Sequence, residues 1–118
     1  PNMIQAWKQK EMRDGIKIKW ISFDLPAEDD DAIVKGFINA TTSKTKIWHI
    51  THMINWTGQI MPVKKLCDEA RKRNIISIVD GAHTFAHMAF SIKDFNPDYY
   101  GTSLHKWLSA PFGTGMLY

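Results

Sequence analysis

Residues 75–79, Ile-Ile-Ser-Ile-Val, restrict the fold more than any other segment of this chain. A nearly all-apolar run of this length, rich in β-branched residues, reads as a strand buried on both faces. Such strands occur where helices cover both sides of a parallel sheet. The residues just before the run supply one of those helices. Pro62 stands at its start, where a missing N–H costs nothing, and Val63, Leu66, Cys67 and Ala70 follow at helical spacing to give one apolar stripe. Arg71, Lys72 and Arg73 close it, placing cations at the negative end of the helix dipole.

The same alternation of periods extends in both directions. Residues 3–13 read as a helix ending at Asp14-Gly15, and 16–20 (Ile-Lys-Ile-Lys-Trp) alternate as a half-buried strand does. An acidic loop over 25–31 feeds a second helix carrying Ile33, Val34, Phe37 and Ile38 on one side. Residues 41–45 are a turn and 46–51 a strand. Beyond the 75–79 run, a short helix is expected over 82–88, a strand over 98–102 and a last strand over 115–118. Strands alternating with helices predict an α/β layer with a mostly parallel sheet.

Composition narrows the partners. The chain has 118 residues, enough for one domain or less, and no apolar run approaches the ~20 residues of a membrane-spanning helix. Formal net charge is +3, but the positive residues are mostly scattered single lysines, which argues against nucleic-acid or membrane binding. The single cysteine, Cys67, has no partner for an internal disulfide and suits a reducing compartment, so a cytoplasmic location is expected. It lies in a helix stripe, where a packed thiol is expected rather than a reactive one. The chain opens without Met in a helical pattern, lacks a signal-peptide core and stops on a strand pattern. It is therefore expected to be part of a longer protein.

In parallel α/β sheets, ligands gather at the carboxyl ends of the strands. His52 and Asn55 follow the strand at 46–51, Asp80 and His83 follow 75–79, and Ser103, His105 and Lys106 follow 98–102. Taken singly, each has an ordinary explanation: Asp80 as the N-cap of the helix at 82–88, Ser103 as a turn residue, Lys106 as a solvated cation. Taken in order, they bring a carboxylate, an amine and short donors to one edge of the sheet. That set suits pyridoxal 5'-phosphate. A desolvated lysine forms a Schiff base with its aldehyde, a carboxylate keeps its ring nitrogen protonated, and hydroxyl and imidazole groups bind phosphate.

At these residues the chain resembles the class V, fold-type I pyridoxal-phosphate enzymes. That family includes cysteine desulfurases, small-substrate aminotransferases and isopenicillin N epimerase-like proteins. Residues 51–83 resemble its Asn-containing loop, its Gly-x-x-x-Pro helix start and its Asp-ended strand. Residues 102–107 (Thr-Ser-Leu-His-Lys-Trp) resemble its Ser-x-His-Lys motif, and 111–118 its glycine-rich turn into an antiparallel strand. Four residues separate Lys106 from Pro111, where desulfurases usually have three, and the form is most like the epimerase-like branch.

The resemblance implies the central part of a three-layer α/β/α large domain, aspartate-aminotransferase-like, with its N- and C-terminal parts absent from residues 1–118. It implies that Lys106 and Asp80 are catalytic. Lys106 would carry the Schiff base and shuttle a proton at the substrate α-carbon, and Asp80 would pair with the pyridinium nitrogen. His83 would contact the cofactor's phenolic oxygen, Asn55 would approach that oxygen or the substrate carboxylate, and Ser103 and His105 would hold the phosphate. His52 would stand at the mouth of the same loop. The implied substrate is a small amino acid, handled by an aminotransferase, epimerase or lyase acting as a homodimer. Trp107 is expected to pack over the lysine stem. Two other readings compete. Asp80, His83 and His87 could form a metal-binding module, the two histidines being four apart on a helix face, or the chain could be a non-catalytic relative of the fold.

Overall fold

The computed structural model describes residues 2–118 (for Asn2, the backbone only). The elements run α1 (Asn2–Asp14), α2 (Asp30–Ala40), β1 (Ile47–Thr51), α3 (Val63–Lys72), β2 (Ile76–Asp80), α4 (Ile92–Phe95), β3 (Tyr99–Ser103) and β4 (Gly115–Leu117). One four-stranded sheet has the order β1-β2-β3-β4. The first three strands are parallel and β4 returns antiparallel to β3. Thr51 pairs with Asp80, Asp80 with Gly101, and Ser103 with Gly115. Thus the carboxyl ends of the parallel strands come level on one rim, as an α/β layer requires. No helix among the described residues is long and apolar enough to cross a membrane.

The two faces of the sheet differ. Each parallel strand shows the same alternation, with its second and fourth residues buried. Trp48, Ile50, Val79 and Tyr100 project toward the helices, where Ile33, Val34 and Phe37 of α2 and Leu66, Cys67 and Ala70 of α3 complete the core. On the opposite face Ile47, Ile76 and Tyr99 stay 40%, 42% and 47% exposed. The expectation that β2 is buried on both faces is thus met on one face only. The apolar run contains Ser77, and its position on the helical face is satisfied by Asp98. The Asp98 carboxylate accepts from the Ser77 N–H at 2.7 Å and hydroxyl at 2.8 Å, tying the start of β2 to the entry of β3. Burial pushes the Cys67 thiol up to about 11, in keeping with a packed, unreactive side chain.

Two elements differ from expectation. Residues 16–20 are extended but pair with no strand; the Ile18 N–H donates instead to Glu11 Oε1 at 3.1 Å. Alternation makes a segment amphipathic, but a ladder needs a second edge in register, and none meets this one among the described residues. Residues 82–88 form successive turns rather than a helix. The N–H groups of Thr84 and Phe85 donate to Gly81 O, and those of His87 and Met88 to Thr84 O. Ala86 adopts φ 60°, left-handed backbone that an α-helix cannot continue through. The four-residue helix α4, ending at Asn96 with φ 44°, has no counterpart in the sequence reading.

Asp80 is followed by Gly81 for a steric reason. A Cβ there would overlap the hydroxyl end of the Tyr100 side chain, which is fully buried beneath it. Tyr100 in turn donates to or accepts from Thr84 Oγ1 at 2.8 Å, so the turn over 81–84 is seated directly on that ring. Gly81→Ala is expected to destabilise the protein by at least ~2 kcal/mol through overpacking. Tyr100→Phe, which keeps the ring and loses the hydroxyl's buried contacts with Thr84 and His52, should cost about 1–2 kcal/mol. Denaturant unfolding of the two variants measures both, and Gly81→Ala should be the worse.

Candidate active site

The rim gathers three segments: the loop after β1, the turns after β2 and the loop after β3. In the turns after β2, Asp80 Oδ1 accepts the Ala82 N–H at 3.0 Å, which fixes the carboxylate at the strand end. Gly101, its partner across the ladder, has open space where a Cβ would stand. The sheet face beside Asp80 is therefore uncovered at Gly101. Ser103 lies two residues further along the same face of β3.

Lys106 and His83 meet across the rim, with Lys106 Nζ 2.9 Å from His83 Nε2. An ammonium can only donate, so the imidazole nitrogen facing it must be unprotonated. The surroundings favour that state. Partial burial first, and the Lys106 charge second, hold His83 below the ordinary imidazole value, while the Asp80 carboxylate opposes them. Asp80, His83 and Lys106 therefore share one electrostatic neighbourhood.

The other sequence-predicted residues are less closely joined. His105 Nδ1 donates to Thr114 O at 3.2 Å and its ring lies 5.1 Å from Phe112, so it braces the loop leading to β4. Asn55 is exposed on the loop spanned by the Met53–Ile60 bridge. Among the described residues no side-chain hydrogen bond links Asn55 or Ser103 to the Asp80–His83–Lys106 group. His52 is not at the mouth of the site. It continues the buried alternation of β1, only 4% exposed, with Nδ1 3.1 Å from Thr84 Oγ1 and 3.4 Å from Tyr100 Oη. Phe90 and Phe95 pack edge-on against its ring. Trp107, expected over the lysine stem, is instead half-exposed and stacked on His87, with ring centroids 3.8 Å apart and planes 10° from parallel.

The metal-binding reading fails on this arrangement. His83 Nε2 faces Lys106, and His87 Nδ1 is bonded to His83 O at 3.0 Å. Among the described residues no three His, Cys, Asp or Glu side chains are placed to hold a metal ion.

The sequence reading missed His49. It sits on the open face of β1, two residues before Thr51, the partner of Asp80. Its Nε2 is buried without a hydrogen-bond partner, and Trp7 of α1 lies 5.8 Å away. Burial lowers it, and the Asp80 charge raises it. The signal was available: Ile47, His49 and Thr51 share one face by period-two alternation, the face on which Asp80 also falls.

The parallel strands thus bring an amine, an imidazole and a carboxylate to their carboxyl rim, the edge at which ligands gather in α/β sheets. Comparison with known proteins identifies the family. Residues 2–118 match the family model described as aminotransferase class-V. Over 118 residues the chain is 34% identical to isopenicillin N epimerase of Streptomyces clavuligerus, covering 98% of this chain and 29% of that one. It is 34% identical over 116 residues to a probable cysteine desulfurase of Halalkalibacterium halodurans, covering 98% and 27%. The apo cysteine desulfurase of Thermococcus onnurineus superposes with a TM-score of 0.80 at 27% identity, over 98% of this chain and 28% of that one. A cysteine desulfurase from Escherichia coli superposes at 0.83 with 23% identity, over 98% and 28%, a likeness of fold. The chain belongs to the aminotransferase class-V family, and it spans less than a third of the length of these relatives.

Burial lowers the His52 imidazole from 6.5 to about 4. The unfolded chain therefore binds more protons than the folded one between these values, and stability rises with pH across that window. The contribution, on the order of 3 kcal/mol, is complete above pH 6.5 and is lost as pH falls toward 4. Urea unfolding at pH 7.5 and 4.5 should show this loss, and His52→Gln should lower stability at pH 7.5 while flattening the slope, so that its deficit shrinks at pH 4.5.

Proposed function

We propose that residues 1–118 form part of the large domain of a pyridoxal 5'-phosphate enzyme acting on a small amino acid, as an aminotransferase, epimerase or lyase. The whole protein would work as a cytoplasmic homodimer. The observation that carries this reading is the placement of Lys106 against His83 on the rim where Asp80 ends β2. Membership of the family supports it independently.

The residues present fit the cofactor by donor chemistry and by space. The rim offers an amine, a carboxylate, an imidazole and a hydroxyl, and Gly101 leaves the sheet face open beside Asp80. When bound, pyridoxal phosphate supplies an aldehyde that condenses with an amine and a ring that draws electrons from the neighbouring carbon. Lys106 would provide the amine and carry a proton to and from the substrate α-carbon. Asp80, anchored by the Ala82 N–H, would hold a proton on the pyridine nitrogen through charge pairing. His83, held below the ordinary imidazole value by burial and by the Lys106 charge, would accept a proton or a hydrogen bond at Nε2 near the cofactor's phenolic oxygen. Asn55 would approach the same oxygen. Ser103 would donate its hydroxyl to the phosphate, and His105, with Nδ1 held by Thr114 O, would present Nε2 to it.

Two substitutions test the reading in the whole protein. Lys106→Ala should abolish turnover, the visible absorbance of bound cofactor, and borohydride fixation of cofactor to protein. Fixation on another lysine would refute the assignment of Lys106. Asp80→Ala should lower turnover by ~10²-fold or more, because a preorganised charge at the ring nitrogen is lost. Wild-type kinetics in that variant would remove Asp80 from the mechanism.

A further inference from the structure

Lys106 is exposed and carries its amine on a flexible four-carbon stem. Its 2.9 Å contact with His83 therefore needs something to hold the two loops together. The next residue supplies it. Trp107 lies flat on His87 with ring centroids 3.8 Å apart, a stacked geometry between two loops that are otherwise separate in sequence. His87 cannot swing freely, because its Nδ1 donates to the carbonyl of His83 at 3.0 Å. The turn that carries it is pinned in turn by the buried contacts of Thr84 with Tyr100 and Gly81 O. Two neighbouring residues of the β3 loop, Lys106 and Trp107, thus engage two residues one turn apart in the β2 loop, His83 and His87.

We propose that the His87–Trp107 stack is a clamp that keeps Lys106 beside His83, making His87 and Trp107 positioning residues for the lysine. The proposal gives the tryptophan of the Ser-Leu-His-Lys-Trp stretch a function other than covering the lysine stem, and it rests on the reading of Lys106 as the reactive amine. The clamp acts through relative placement of the two loops. Its signature is therefore coupling between His83 and Lys106, and not a loss of stability.

The test is a double-mutant cycle on the whole protein freed of cofactor. Trinitrobenzenesulfonate labels unprotonated amines, and its rate at Lys106 is read by mass spectrometry of the Lys106 peptide at fixed pH. His83→Ala should change that rate in the wild-type background. In the Trp107→Ala or His87→Ala background the same change should be smaller by roughly three- to tenfold, the size expected for loss of an aromatic pair. Trp107→Phe, which keeps a ring over His87, should restore the coupling, and circular dichroism should show the fold intact throughout. Equal effects of His83→Ala in all backgrounds would overturn the clamp. So would coupling lost equally in Trp107→Phe and Trp107→Ala. Borohydride fixation separates the two ideas. Coupling without fixation on Lys106 leaves the clamp standing and ends the cofactor reading. Fixation without coupling does the reverse.

Discussion

The contact between Gly81 and the Tyr100 ring is the constraint on which the rest of the rim depends. Tyr100 is the second residue of β3 and points into the helical core, yet its hydroxyl reaches the first turn after β2. Only a residue without a Cβ can follow Asp80 at that distance. The same hydroxyl meets Thr84, which also bonds Gly81 O and approaches His52, and Thr102 adds a second hydroxyl donor to Gly81 O at 3.1 Å. A buried polar network of this kind is expensive when incomplete and rigidifying when complete. Here it joins residues from all three parallel strands or their loops. The turn that carries Asp80 and His83 is therefore supported from inside the core.

That support acts on one face and the candidate chemistry lies on the other. In a strand, successive side chains alternate, so Val79 and Asp80, or Thr102 and Ser103, divide structural and polar duties between neighbours. The helical face collects Trp48, Ile50, Val79 and Tyr100 with α2 and α3. The other face keeps His49, Thr51, Asp80, Gly101 and Ser103 in one band, with open space above Gly101. Electrostatics follow from this division. His52, inside the core, is held neutral by burial, whereas His83, on the rim, is governed by burial together with charges of both signs.

Much of this arrangement was legible in the residues. Pro62 and the spacing of Val63, Leu66, Cys67 and Ala70 gave α3 with its buried stripe, because a helix face repeats at three and four. The strands at 46–51, 75–79 and 98–102 were found within a residue or so, and with them the strand-end positions of Asp80, Ser103 and Lys106. The errors also have reasons. Residues 16–20 carry a strand's alternation without a strand's partner, and pairing is not a local property. Residues 82–88 have helical spacing, but Ala86 adopts left-handed backbone. His52 reads as a site residue because it follows a strand end, yet the alternation of β1 simply continues and turns its ring inward.

By itself the sequence determined the helices α1 to α3, the strands of the parallel α/β layer and which residues stand at the carboxyl rim, since periodicity and turn chemistry are local and survive in a one-dimensional reading. Tertiary structure alone decided which of those residues meet. His83 and Lys106 are 2.9 Å apart, although a strand and its connections separate them, and Trp107 finds His87 rather than the stem of its own neighbour. Such pairings depend on the register of β2 against β3 and on the volume of Tyr100 beneath Gly81. No segment encodes a distance between two loops; it arises when the sheet and its core are packed together.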